Sequence, residues 1–269
     1  IKFVIPKHAS EKKLKNHLKN NKIPFFEGSE KDVLDRYYQC AKKYNYDHII
    51  RVTGDCPLVD SSLIDEMYMI FKEKKLDFIS NYSPPTFPDG LDISIFTFDT
   101  LKKAWRNSKS KFDREHVVPY ILNNKNFKQE NFKNNLDLSL ERWTVDEPED
   151  LIVIKNIFKR FKNKYNFSWK EVLKLKSKYK DDFKANIDIA RDEGALMNAG
   201  QKLWKRAKKV IPGGNMLLSK RPDYFLPSKW PTYFKKTKDC NIWDLDGNKF
   251  IDMSIMGVGT NTLGYNHTG

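Results

Sequence analysis

Two carboxylates stand out by what precedes and follows them. The stretch Arg51-Val52-Thr53-Gly54-Asp55-Cys56-Pro57-Leu58-Val59-Asp60 closes an apolar run made by Ile49, Ile50 and Val52. Those β-branched residues read as a short buried strand. Gly54 permits a sharp turn, and Pro57 cannot rejoin a sheet ladder. Asp55 is thus presented where a strand ends. Arg142-Trp143-Thr144-Val145 reads as another strand, followed by Asp146 and then by Pro148 in a first helical turn. Ligands of open α/β sheets bind at the carboxyl ends of strands. Hard oxygen donors there suit Mg²⁺, which takes one or two carboxylates and fills its shell with substrate phosphates and water. The same types also close turns and cap helices. For Glu149 and Asp150 the positive end of a helix is reason enough.

The elements that must carry these residues alternate. Residues 2–5 read as a strand and Ser10 to Asn20 as a helix with Leu14 and Leu18 on one face. Ile23, Phe25 and Phe26 read as a second strand. Ser29 to Asp32 then opens a helix carrying Val33, Leu34, Tyr37, Ala41 and Tyr44. Residues 48–53 lead to Asp55, a helix runs from about Ser61 to Lys74, and Asp77 to Ser80 is again a strand. This β-α-β-α-β-α-β order predicts a parallel sheet. A Pro-rich loop, Asn81 to Gly90, breaks the rhythm, and a loop of that length is usually functional or mobile. Leu91 to Phe96 reads as a strand, and helices follow around Leu101 to Trp105 and from Asp113 to Ile121. Strands are expected at 136–140 and 142–145, and a helix from Pro148 through Phe161.

Composition narrows the setting. No apolar run approaches the roughly 20 residues that cross a bilayer, and no secretory signal is visible. Three cysteines stand far apart without a Cys-x-x-Cys pair, which favours a reducing, cytoplasmic setting over a disulfide framework or zinc site. The net charge of +14 is spread along the chain rather than gathered in a stripe. It argues for anionic small substrates and against specific nucleic-acid binding. Residues 163–193 read as a Lys-rich helical linker. Beyond Gly194 the text becomes richer in Gly, Trp and Met, with a helix at 201–207, a stop at Pro212-Gly213-Gly214, strands at 233–236 and 241–245, and a hairpin turn at Asp246-Gly247-Asn248. The chain is expected to begin and end in mid-fold.

Residues 1–162 resemble the cytidylyltransferases of the spore-coat-polysaccharide type, relatives of the enzymes that make CMP-sugars. The residues that carry this are Asp32-Val33-Leu34-Asp35-Arg36, Arg51 to Asp60, Phe87-Pro88-Asp89-Gly90-Leu91-Asp92, Arg114-Glu115-His116 through Tyr120, and Arg142 to Leu151. The resemblance implies an α/β, Rossmann-like nucleotidyltransferase fold, here without its first strand and Gly-rich loop. It implies Asp55 and Asp146 as catalytic ligands of Mg²⁺, and CTP and a sugar acid as substrates. It also implies a nucleotide and substrate pocket drawn from Arg36, Arg51, Asp89, Asp92, Arg114 and His116.

Residues 194–269 resemble the start of class III pyridoxal-phosphate aminotransferases, close to glutamate-1-semialdehyde aminomutase. That resemblance rests on Leu203 to Ala207, Ile211 to Gly214, Trp243 to Asp252 and Leu263 to His267. It implies the N-terminal piece of a fold-type I transferase, whose cofactor lysine lies outside this chain, an amino donor and acceptor, and a homodimer when complete. The expectation is a fragment of a bifunctional enzyme of surface-polysaccharide synthesis, inactive by itself. The alternative is an aminotransferase as the main activity beside a degenerate nucleotide domain.

Overall fold

The computed structural model describes residues 1–162, 164–191, 198–215, 221–226, 230–253 and 264–265. It divides into two compact units, Ile1–Arg191 and Asp192–Gly269.

In the first unit, β1 (Phe3–Pro6) and β2 (Phe25–Gly28) pair in parallel, joined by α1 (Lys12–Asn20). Asp32 caps α2 (Val33–Lys43) by accepting the Asp35 amide at 2.8 Å. Then come β3 (His48–Val52), α3 (Ser61–Glu73), β4 (Phe78–Ser80) and β5 (Ile93–Thr97). With β6 (Gln129–Asn131) they form a sheet of order β3-β5-β4-β6. The parallel sheet expected from the alternation is therefore interrupted. β5 enters antiparallel to both β3 and β4, while β6 runs parallel to β4. The physical reason lies in β5 itself: Ile93, Ile95 and Phe96 are wholly buried. Its two faces both need cover, which a central place supplies.

The helical segment expected at 113–121 is two pieces, α5 (Lys111–His116) and α6 (Pro119–Leu122), after α4 (Phe98–Asn107). Val117 turns between them at φ 71°, and Pro119 has no N–H to continue a helix. The strands expected at 136–140 and 142–145 do not form. Leu136 and Leu140 are exposed, and Arg142 meets Asp89 in a single bridge. The polar β6 takes the sheet edge instead.

α7 (Pro148–Arg160) and α8 (Trp169–Lys178) complete the unit. Here the expected linker at 163–193 is corrected. Trp169, Val172 and Phe183 are buried in the same core as Leu63, Met67, Ile95 and Ile157. The Asp60 carboxylate, which caps α3, also accepts the Trp169 amide at 2.8 Å. Lys170, Lys174 and Lys178 face solvent, so the basic text is the outer face of a packed helix. A separate core on the other side gathers Leu34, Tyr38, Phe78, Phe96, Leu101 and Ile121.

In the second unit, α9 (Ala199–Val210) leads to Gly214 at φ +74°, where a Cβ would stand 2.6 Å from the Trp204 ring. Three antiparallel strands follow, β7 (Phe234–Lys238), β8 (Asn241–Asp244) and β9 (Lys249–Ile251). The Asp244 carboxylate closes the β8–β9 turn on the Asp246 and Asn248 amides. Of the motif at 263–267, Leu263, Asn266 and His267 lie outside the described residues. Among the described residues no helix is long and apolar enough to cross a membrane. Cys40, Cys56 and Cys240 are free thiols.

Candidate functional site

β3 ends at Val52, and the turn through Gly54 carries Asp55 back against the extended segment 142–146. The Asp55 carbonyl accepts the Val145 amide at 2.9 Å and the Thr144 hydroxyl at 3.1 Å. This stitching brings the two carboxylates within electrostatic reach. Burial and then the Asp55 carboxylate push the Asp146 pKa up, and Arg142 opposes them in part. Asp146 is 47% exposed, so the pair opens to solvent. Among the described residues no group of three or more His, Cys, Asp or Glu could hold a metal ion. Two carboxylates are a partial, hard-oxygen donor set that other oxygens must complete.

The largest surprise is Arg142. Its guanidinium is 6% exposed and binds three aspartates. Nε and Nη2 reach the two oxygens of Asp150 at 2.9 and 2.8 Å, Nη1 reaches Asp89 at 3.0 Å, and Nη2 reaches Asp146 at 3.2 Å. Asp150 is wholly buried. It also accepts the Asp146 and Glu147 amides at 3.0 and 2.9 Å and the Asn186 amide group at 2.8 Å. Burial alone would raise its pKa. The bonds from Arg142, Asn186 and the backbone win, and hold it below the usual carboxylate range. Asp150 thus caps α7, as helix-start chemistry expects, and also anchors the arginine that holds Asp146. Gly90 makes room for this. It sits at φ +96°, and a Cβ would lie 2.5 Å from the Thr144 nitrogen.

The remaining candidates divide. Asp89 joins the site through Arg142. Asp92 joins it through Cys56, whose thiol is pushed up to about 12 by burial, with Asp55 and Asp92 adding to the shift. Arg51 lies on β3 beside the Tyr82 hydroxyl. Arg36, Arg114 and His116 belong to another corner. Arg114 binds Asp32 and the Trp105 carbonyl, tying α2 to the end of α4. Arg36 donates to the Ser29 carbonyl, and His116 packs on Phe112. None of these contacts is with Asp55 or Asp146.

Residues that sequence reasoning missed are Arg142, Asn186 and Arg191. Asn186 bonds the Arg142 carbonyl as well as Asp150, and the Ala190 carbonyl accepts from Arg142. Arg191 pairs with Asp92 at 2.5 Å and reaches the Phe87 carbonyl at 3.2 Å. The Arg142 to Asp146 spacing was the available signal. For Asn186 and Arg191 there was none, because their partners lie 36 and 99 residues away.

The sequence profile of cytidylyltransferases matches residues 9–197. The chain belongs to the cytidylyltransferase family. A solved cytidylyltransferase from Leptospira borgpetersenii is 34% identical, with a TM-score of 0.64 over 66% of this chain and 76% of that one. An uncharacterized protein of Methanocaldococcus jannaschii is 46% identical over 104 residues, 39% of this chain and 42% of its own length. The spore coat polysaccharide biosynthesis protein SpsF of Bacillus subtilis is 27% identical over 165 residues, 58% of this chain and 65% of its own length. The cytidylyltransferase chain thus spans less than two thirds of these two curated relatives. Its carboxyl-terminal part is similar to glutamate-1-semialdehyde 2,1-aminomutase of Acetivibrio thermocellus, 40% identical over 65 residues, 24% of this chain and 14% of that protein.

Proposed function

We propose that the first unit transfers a cytidylyl group from CTP to an acidic or 2-keto sugar for surface-polysaccharide synthesis. The observation that carries this is the meeting of Asp55 and Asp146 at the sheet edge of a cytidylyltransferase-family chain. An acceptor hydroxyl attacks the α-phosphorus, the bond to the bridging oxygen breaks, pyrophosphate leaves with the electron pair, and the hydroxyl proton passes to solvent.

The donor set fits Mg²⁺. Two neighbouring carboxylates, one with its pKa raised by burial and then by the other, gain from a dication between them. Bound there, Mg²⁺ supplies charge neutralisation to the triphosphate. This chain's residues do the positioning. Asp150 fixes Arg142, Arg142 holds one oxygen of Asp146, and the Asp55 carbonyl locks segment 144–145 in place. A preset arrangement of this kind lowers the reorganisation needed at the transition state.

The second unit is proposed to open a pyridoxal-phosphate aminotransferase domain of a homodimeric, cytoplasmic, bifunctional protein, on the strength of its similarity to the aminomutase. No described lysine is assigned to the cofactor. The test is pyrophosphate release by the full-length protein with a nucleotide panel and candidate sugar acids, comparing Asp55→Ala and Asp146→Ala with wild type. CTP-selective release, lost in both variants with folding intact, supports the proposal. Turnover that survives either change overturns the two-carboxylate site. No release with any acceptor shifts the main activity to the aminotransferase-like part.

A further inference from the structure

Asp146 is held lightly for a residue on which a reaction depends. It is 47% exposed, and among the described residues its carboxylate takes one hydrogen bond, from Arg142 Nη2 at 3.2 Å. An exposed side chain held in this way takes its place from the backbone beneath it and from whatever fixes its donor. Much of what fixes both comes from far along the chain.

After α8 the helical turn Lys180–Phe183 seats Phe183 in the core. α7 ties down the start of the segment that follows. The Asp182 carbonyl accepts from the Asn156 amide group at 3.1 Å, and its carboxylate accepts Arg160 Nε at 2.6 Å. From residue 184 to 191 the chain then buries no apolar side chain. Ile187 is 72% exposed, and the one buried residue is Asn186, at 4%. Its amide group donates twice, to Asp150 at 2.8 Å and to the Arg142 carbonyl at 3.1 Å. This pins the backbone four residues before Asp146 to the first turn of α7. The Ala190 carbonyl accepts Arg142 Nη1 at 3.3 Å. Arg191 reaches the Phe87 carbonyl with one nitrogen and Asp92 with another, so one guanidinium spans both ends of turn 87–92. That turn carries Asp89, which pairs with Arg142 and exchanges backbone bonds with Glu141 and Trp143. A segment with no apolar payload therefore spends its polar contacts on the two arms that carry the site.

We propose that residues 184–191 are a strap that presets the metal-binding carboxylates, with Asn186 and Arg191 as positioning residues. Asn186 acts on Asp146 by way of Asp150 and Arg142. Arg191 acts through turn 87–92, whose Asp89 grips the same arginine. The inference rests on the two-carboxylate reading above. Partners one layer out from a metal ligand carry about 10–100-fold of metal affinity.

The test uses full-length protein and Mn²⁺ alone, followed by the paramagnetic resonance of the free ion, without nucleotide or turnover. Wild type is expected to bind, and Asp146→Ala to lose that binding. Asn186→Ala and Arg191→Ala should each weaken Mn²⁺ about tenfold. Arg191→Lys keeps the charge without the fork that spans two acceptors, and should fall between wild type and Arg191→Ala. Ile157→Val, a core change that touches none of these polar contacts, is the control. It should lower the thermal midpoint and leave Mn²⁺ affinity unchanged. In pyrophosphate release the strap variants should need more Mg²⁺ for half-maximal rate and keep kcat at saturating metal. Mn²⁺ affinity within about twofold of wild type in both alanine variants overturns the strap and leaves the carboxylate site standing. Equal weakening in Ile157→Val also overturns it, because the loss then follows stability. Should Asn186→Ala not fold, the two Arg191 variants decide. No Mn²⁺ binding by wild type, or binding that survives Asp146→Ala, overturns the site reading and the strap with it.

Discussion

Two arginines in the first unit, Arg142 buried and Arg51 partly buried, are held in different ways. Arg142 has every face of its guanidinium met, by Asp150, Asp89, Asp146 and the Ala190 carbonyl. Arg51 meets no carboxylate at hydrogen-bond distance among the described contacts; its guanidinium stands 6.0 Å from the Tyr37 ring and beside the Tyr82 hydroxyl. A fully paired buried charge specifies one geometry and costs most when one partner is removed. A partly exposed guanidinium that shares its charge with solvent constrains geometry less and costs less to remove. The contrast separates an arginine that fixes the site from one that the fold leaves freer.

The sharpest way to break the comparison is Arg142→Ala. It leaves Asp150 and Asp89 buried beside a cavity, and such uncompensated charge costs about 3–5 kcal/mol. Urea denaturation should show that loss. A change below about 1 kcal/mol would mean the cluster is not what fixes the segment.

Asp150→Asn comes next and is read through pH. The Asp150 pKa is held below its unfolded value, so its contribution is complete above the unfolded carboxylate pKa, about 3.9. It is lost as pH falls through the folded value. The variant should be less stable at neutral pH, and the gap should close in acid. A gap that stays constant with pH would dissociate the charge from the stabilisation.

Asp146→Asn should separate activity from stability. The Asp146 pKa is raised, so ionising it costs the folded state. That cost is present above the folded pKa and disappears as pH falls toward the unfolded value. The variant should therefore hold or gain stability at neutral pH while pyrophosphate release drops about a hundredfold or more. Destabilisation equal to that of Asp150→Asn would place Asp146 with the structural acids.

The smallest effect should come from Lys74→Ala, which removes an exposed ion pair with Glu130. Pairs of this kind are worth about 0.2–1 kcal/mol and fade with salt. Lys74 thus serves as the reference for a charge contact that neither holds the site nor belongs to it.

How much of this could be read beforehand depends on the range of the interactions. Helix faces were legible because Leu34, Tyr37 and Ala41, or Leu63, Met67 and Phe71, repeat at helical spacing. The turn at Asp55 was legible because Gly54 and Pro57 punctuate it. The place of β5 was not, since a wholly apolar strand fits a parallel or an antiparallel neighbour equally well. Gln129-Glu130-Asn131 has no apolar alternation to announce an edge strand. Leu136 to Leu140 does alternate, yet the sheet offers it no partner. Asn186 and Arg191 act across 36 and 99 residues, a distance over which spacing carries no information. The lysines of α8 misled in another way: they describe an outer face and say nothing of Trp169 and Val172 beneath it.

The Cys56 thiol gives this architecture a clock. Pushed up to about 12 by burial, with Asp55 and Asp92 adding to the shift, it is neither accessible nor nucleophilic while the turn is closed, whereas Cys240 is exposed. A thiol reagent should therefore modify Cys240 at once and Cys56 only during excursions that part the turn from segment 144–145. The slow phase of labelling, located by peptide mass, counts those excursions in real time. Its slowing by CTP and Mg²⁺ would report how firmly occupancy shuts the edge of the sheet.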